Sequence, residues 1–177
     1  MTARAFAAAE LGWHDFFLAA AGASAALLGL LFVGVSINLA AIAGDERVDL
    51  RARAGQAFAN LVFALVIGLL MLIPDPDPVS IAFGLAVVAG LGLLSVARNL
   101  FPVVRRRARV RNWVQIARRI AWTAIADLIL IFTASRIGFA ADAAAIQNLV
   151  TVVFVLLIGA ADVAWEMLVE VSREQTE

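Results

Sequence analysis

The chain contains no cysteine, no lysine and one histidine among its 177 residues. Without cysteine there are no disulfide bonds, thiolate metal sites or cysteine nucleophiles. The single histidine, His14, provides no histidine pair for zinc or haem, and the HExxH motif is absent. No glycine-rich phosphate-binding loop follows a strand-like segment either. These absences make an enzyme the least favoured class, and they predict no cofactor and no metal site.

The sequence consists largely of long hydrophobic runs that carry few charges. Hydrophobic residues make up 63% of the chain, against about 45–50% in soluble domains. A hydrocarbon core about 30 Å thick needs about 20 helical residues, and helices satisfy their own backbone hydrogen bonds in lipid. The sequence therefore predicts an all-α, polytopic membrane protein, a single domain over residues 1–177 with five transmembrane helices and no cleaved signal peptide. The predicted spans are residues 16–43, 54–73, 79–101, 117–135 and 143–168.

All 14 basic residues are arginine, and their distribution predicts the orientation. With five spans, twelve of them fall on one side, leaving only Arg4 and Arg136 on the other. Basic loops remain cytoplasmic, so the N-terminus is predicted outside and the C-terminus in the cytoplasm. Abundant arginine and alanine without lysine also indicate a GC-rich bacterial gene. The expected location is the bacterial cytoplasmic (inner) membrane.

The joint between the third and fourth spans, residues 102–119, is strongly basic. Its apolar residues share one helical face, which is typical of an amphipathic helix on the inner leaflet. Anionic lipid headgroups are then the expected partners, and a solvated loop that only sets topology is the alternative. No recognition fold accompanies the arginines, so nucleic acid is not expected. The residues predicted to bind lipid are Arg105, Arg106, Arg107, Arg109 and Arg111.

Charged side chains inside a span are costly and mark functional or paired positions. Asp127 lies near the middle of the fourth span, with Thr123 on the same face. In the fifth span, Asp162 and Glu166 belong to a polar stripe about 100° wide. The three carboxyl groups are predicted to line an ion path, and the alternative for each is a structural hydrogen bond or ion pair between helices.

Arg98 ends the third span at a depth similar to that of Glu166, so an ion pair between the two is predicted. Gln56 and Asn60, one turn apart on the second span, could join this network through hydrogen bonds between helices.

A stripe of small residues along the first span predicts close helix packing, either within the chain or against another subunit. Its members are Gly22, Ala25, Ala26, Gly29, Ser36 and Ala40. The second possibility makes a homo-oligomer an expected assembly. Near the predicted outer surface, Glu10 and His14 are one turn apart, but a single histidine makes an interfacial cap a better interpretation than a metal site.

The segment WHDFFLAAAGASAALLGLLFVGVSIN, residues 13–38, resembles the opening of a group of small bacterial multi-span membrane proteins of uncharacterised function. The shared elements are the Trp-x-x-Phe-Phe start, the Gly-Ala-Ser-Ala-Ala run and the Phe-Val-x-Val-Ser-x-Asn end. The resemblance covers the first quarter of the chain and implies no activity or functional residue.

The leading functional prediction is a small oligomeric channel or transport-type protein that passes a cation or proton. The alternative is a non-conducting accessory or scaffold protein that binds lipids or a partner protein. A continuous water-accessible stripe would favour the first class. Carboxylates that are fully paired within the chain would favour the second.

Overall fold

A computed structural model describes residues 3–37, 48–75, 77–105 and 113–174. Six helices and one short 3-10 helix, Ala143–Ala145, account for nearly all of them, and these ranges contain no strand. The helices are α1 (Ala3–Leu11), α2 (His14–Ile37), α3 (Val48–Leu70), α4 (Pro78–Arg105), α5 (Trp113–Ala140) and α6 (Ile146–Glu174). The predicted all-α polytopic bundle is confirmed.

Four segments of the described chain are long and apolar enough to cross a membrane: His14–Ile37, Pro78–Arg98, Thr123–Ala140 and Ala143–Trp165. The apolar part of α3, Ala54–Leu70, is shorter. The whole of α3 has 23 residues, which corresponds to about 35 Å of helix. The protein is therefore an integral membrane protein, with four full-length apolar helices and a shorter fifth one.

Helices α3, α4, α5 and α6 form a ring. Each packs on the next, α3 on α4, α4 on α5, α5 on α6 and α6 back on α3, while α2 lies outside the ring against α3. Within the described residues the pairs α3–α5 and α4–α6 make few backbone contacts. They therefore face each other across the middle of the ring.

Small residues bring neighbouring helices close together. A Cβ atom placed on Gly68 of α3 would lie 3.0 Å from Cβ of Ala21 on α2. One placed on Gly138 of α5 would lie 3.0 Å from Cβ of Ala82 on α4. Such contacts provide the dense packing that holds membrane helices together in the absence of a hydrophobic driving force between them.

The small-residue stripe predicted on the first span does not pack inside the chain. The buried residues of α2 are Phe17, Ala20, Ala21 and Ser24, whereas Gly22 and Gly29 are exposed with no atom within 4 Å of an added Cβ. Packing against α3 uses the opposite face, because Phe17 and Ala21 fit around Gly68. The prediction that the stripe packs within the chain is wrong for these positions, and Ala40 lies outside the described residues.

Capping side chains define the connection before α4 and the connection before α6. Asp77 Oδ2 accepts hydrogen bonds from the backbone N–H and the hydroxyl of Ser80, both at 3.0 Å, at the start of α4. Asp142 Oδ1 accepts from the N–H of Ala144 at 3.0 Å, and its other oxygen pairs with Arg136.

Helix α5 continues to Ala140, five residues beyond the predicted span, because Ile137 is fully buried.

The basic joint is only partly described. Helix α4 continues to Arg105 and α5 begins at Trp113, so both ends of the joint are helical. Arg106, Arg107, Arg109 and Arg111 lie outside the described residues, and the side chain of Arg105 is not described. Lipid binding at this joint stays a prediction.

Candidate functional site

The buried polar side chains of the bundle belong mainly to α3 and α5, the two helices that face each other across the ring. Gln56 and Asn60 on α3 are 6% and 4% exposed, and Thr123 and Asp127 on α5 are 3% and 2% exposed. Each pair is spaced four residues apart, which places its members one above the other on a single helical face. Both polar faces therefore point into the ring.

A hydrogen bond crosses the interior at the height of Gln56 and Thr123. Nε2 of Gln56 donates to Oγ1 of Thr123 at 2.8 Å. Gln56 is thus bonded to α5. Its predicted part in a network with Arg98 and Glu166 stays a prediction. The contact sets the relative height of α3 and α5.

Asn60 and Asp127 lie together at the next level. Leu70 of α3 packs on Gly84 of α4, and Gly92 of α4 packs on Asp127 of α5, so both hairpins are antiparallel. Helices α3 and α5 therefore run in the same direction. One turn beyond the Gln56–Thr123 bond, Asn60 and Asp127 occupy the same height.

The other two helices of the ring have glycine at this height. A Cβ atom on Gly92 of α4 would lie 2.6 Å from Cγ of Asp127, and one on Gly159 of α6 would lie 3.3 Å from Nδ2 of Asn60. No Cβ fits at Gly92 without a shift of the carboxyl group. We call this set of four residues, Asn60, Gly92, Asp127 and Gly159, the polar layer.

Two oxygen atoms of the polar layer are buried without a hydrogen-bond partner, Oδ1 of Asn60 and Oδ2 of Asp127. Two other buried hydroxyl groups are satisfied within their own helices: Ser24 of α2 donates to the carbonyl of Ala20 at 2.7 Å, and Thr133 of α5 donates to that of Ile129 at 2.8 Å. An unpartnered polar group in an apolar interior is costly. The polar layer is therefore the feature of the interior that local helix chemistry does not explain.

Apolar side chains close the interior on one side of the polar layer, towards the end predicted to lie outside. Leu85, Leu130 and Val153 are among its buried residues. Thr123 and Gln56 lie on the other side of the layer, towards the end predicted to be cytoplasmic. The interior is polar towards that end and apolar towards the opposite end.

The predicted path residues lie in different surroundings. Asp127 is buried in the ring, whereas Asp162 on α6 and Arg98 on α4 are exposed. Glu166 lies on α6, but its side chain is not described. The predicted ion pair between Arg98 and Glu166 and the path role of the three carboxyl groups stay predictions.

The predicted Glu10–His14 pair is interrupted by a break in the helix. Helix α1 ends at Leu11 and α2 begins at His14, and the N–H of Trp13 donates to the carbonyl of Glu10 at 2.8 Å. Glu10 is 5% exposed and His14 is exposed. Burial raises the pKa of Glu10, and the nearby His14 partly offsets this rise. Glu10 thus belongs to the buried contact between α1 and the bundle.

The sequence pointed to Asp127 and to the pair Gln56–Asn60, but not to the contact of Asp127 with Gly92. A usable signal was present, since two pairs of polar residues four apart occur in two apolar helices. Assigning the glycines to the same layer requires the heights of all four helices. That information comes only from their packing.

Comparison with protein-family models, with curated proteins and with solved structures finds no match.

Proposed function

We propose that this protein is a transport-type membrane protein that binds a cation or proton at the polar layer. The observation that carries the proposal is the buried Oδ2 of Asp127, which has no partner and lies level with the unpartnered Oδ1 of Asn60. A carboxyl group inside a membrane bundle is expensive to insert, and such groups mark proton relays and ion sites. Glycine at the other two corners leaves the space in which these polar groups fit.

The proposed transport requires a change of conformation. Apolar residues such as Leu85, Leu130 and Val153 close the interior between the polar layer and the outer end. An ion that enters from the end near Thr123 reaches Asp127 but meets this apolar core. Alternating exposure of the layer, through movement of helices that pack across small residues, would complete the passage.

The proposed orientation has the C-terminus in the cytoplasm of a bacterium, and the proposed assembly is a homo-oligomer. The arginine distribution supports the first. The outward small-residue face of α2, with Gly22 and Gly29 exposed, supports the second, because such a face permits close approach of a second helix. In an oligomer, the exposed side chain of Asp162 would lie on the outer surface of each ring, within reach of a neighbouring subunit.

The apolar core also favours the alternative, a non-conducting accessory protein that binds lipids or a partner through the basic joint. In that case the polar layer would position α3 against α5 and would exchange nothing with water. The two proposals differ in one respect that can be measured, which is ion flux.

Flux through purified protein in liposomes tests the proposal, with separate gradients of protons, sodium, potassium and chloride. The proposal expects proton or cation flux in the wild type and its loss in Asp127→Asn. Asp75→Asn is the matched control, because Asp75 is an exposed outer residue at a φ of 49°, a conformation that asparagine tolerates. No flux under any gradient, from protein with native helix content, would instead favour the accessory role.

Glu166→Gln is the second variant in this assay. Reduced flux with the same ion selectivity would support the prediction that Glu166 belongs to the path. Unchanged flux in Glu166→Gln together with lost flux in Asp127→Asn would restrict the path to the interior of the ring.

A further inference from the structure

The polar layer contains two acceptor oxygens that cannot bond to each other while Asp127 is ionised. Oδ1 of an asparagine only accepts hydrogen bonds, and an ionised aspartate also only accepts. Both atoms are buried and unpartnered at the same height of the ring. Whatever occupies the layer must therefore supply positive charge or a donated hydrogen.

Neighbouring side chains do not supply that charge. The buried polar residues of the described chain include no arginine or histidine. On the helices that pack against Asp127, the described charged side chains near this height are Arg98 on α4 and Asp162 on α6, and both are exposed. Arg136, farther along α5, is paired with Asp142 at the opposite end.

A metal cation fits the layer poorly. Calcium takes six to eight oxygen ligands, and magnesium demands an octahedral set. The layer offers one carboxyl group and one amide oxygen, since its other two members are glycines within helices whose carbonyls form helical hydrogen bonds. The carboxyl group also rests directly on Gly92, and the described residues contain no cluster of three or more histidine or acidic side chains. A proton needs only the two oxygens that are present.

We propose that the polar layer holds one exchangeable proton, carried on Oδ2 of Asp127 and donated to Oδ1 of Asn60. A proton from water adds to the carboxylate to give the neutral acid, and its return to water restores the charge. Exchange takes place at the end of the bundle where Thr123 and Gln56 lie. The inference rests on the proposed function and deepens it, since it makes the proton the transported species.

Infrared spectroscopy of the full-length protein in liposomes tests the inference without any transport. The wild type is expected to show the carbonyl stretching band of a protonated carboxylic acid at neutral pH. Labelling aspartate with carbon-13 at the carboxyl group should shift the band, which assigns it to aspartate in the unmutated protein. Asp127→Asn should abolish the band, and the matched control Asp75→Asn should retain it.

Asn60→Leu tests the acceptor. Loss of the hydrogen bond from the acid should move the band of Asp127 to higher frequency. An unchanged frequency in a folded Asn60→Leu protein would overturn the role of Asn60. If Asp127→Asn does not fold, the isotope shift in the wild type still decides whether a protonated aspartate exists.

Three results at neutral pH would overturn the inference: no isotope-sensitive acid band in the folded wild type, retention of the band in a folded Asp127→Asn protein, or its disappearance on adding sodium or potassium at constant pH. Failure of the proposed function is distinguishable from these. A band that behaves as expected without any proton flux would refute transport but not proton binding. Sodium or potassium flux without the band would refute the proton as the transported species but would not refute transport.

Discussion

The carboxyl group of Asp127 lies against the backbone of Gly92, so closely that a Cβ atom on Gly92 would be 2.6 Å from Cγ of Asp127. The acidic residue and the glycine belong to adjacent antiparallel helices, α5 and α4. The carboxyl group fits at this height because Gly92 has no Cβ atom. The contact links the packing of the ring to the chemistry of its interior.

Gly92→Ala is expected to destabilise the protein or displace Asp127. Adding a methyl group to a filled interior costs about 1–3 kcal/mol, and the helix-propensity gain of alanine offsets about 0.5–1 kcal/mol of this. Unfolding in detergent measures the change, and the acid band of Asp127 reports its displacement. Gly90→Ala is the matched control, because an added Cβ at that exposed position meets nothing within 4 Å. Equal stability of the two variants would contradict the contact.

The Gln56–Thr123 hydrogen bond is expected to couple α3 to α5. Gln56→Leu removes the donor of this bond and Thr123→Val removes its acceptor, and the loss of a buried hydrogen bond of this kind costs about 1–3 kcal/mol. The double variant should lose less free energy of unfolding than the two single variants lose together, with a coupling free energy of about 0.6–1.7 kcal/mol. The control is a double-mutant cycle between Gln56→Leu and Thr133→Val, whose losses should add. The hydroxyl of Thr133 donates to the carbonyl of Ile129 on its own helix. Additive losses for Gln56 and Thr123 would show that the bond contributes nothing.

Glu10 is expected to make stability fall as the pH rises. Its pKa is raised above the ordinary value of 4.5, mainly by burial. The folded protein therefore holds this proton more tightly than the unfolded chain does. The stabilisation is complete below pH 4.5 and is lost as the pH rises through the folded-state value.

Thermal unfolding between about pH 4.5 and pH 6, below the ordinary range of histidine, measures this effect. Glu10→Gln should reduce the slope of stability against pH in that interval. Asp15→Asn, which removes an exposed carboxyl group nearby, should leave it unchanged. The same slope in the wild type and in Glu10→Gln would exclude Glu10 as a source of the pH dependence.

The basic joint is expected to retain anionic lipid. Replacing its five predicted lipid-binding residues with glutamine should reduce the number of phosphatidylglycerol molecules that remain bound in native mass spectrometry, since each basic residue near an anionic surface contributes about 1 kcal/mol. Arg136→Gln, at the opposite end of the bundle, should have no such effect. Equal retention in both proteins would favour a solvated loop. The replaced residues are Arg105, Arg106, Arg107, Arg109 and Arg111.

The helical membrane class and the chemically unusual residues could be predicted from the sequence. Apolar length alone indicated spans, because lipid permits few backbone structures. Asp127 stood out because a carboxyl group interrupts an apolar run. The helix ends were less predictable: α5 extends to Ala140 because Ile137 is buried in the bundle, which no local signal records.

Which face of each helix is buried was decided only by the tertiary structure. The small residues of α2 suggested an inward face, yet Phe17 and Ala21 make the contact with α3, since Gly68 provides the matching recess. In the same way, Asn60 and Asp127 share a layer because the Gln56–Thr123 bond and two antiparallel hairpins set the helices at one height. The sequence by itself determined that the chain enters a membrane as helices and carries a carboxyl group there. Only the packing of four helices decided that this group rests on a glycine, opposite an amide, because relative height and rotation depend on contacts between segments distant in the chain.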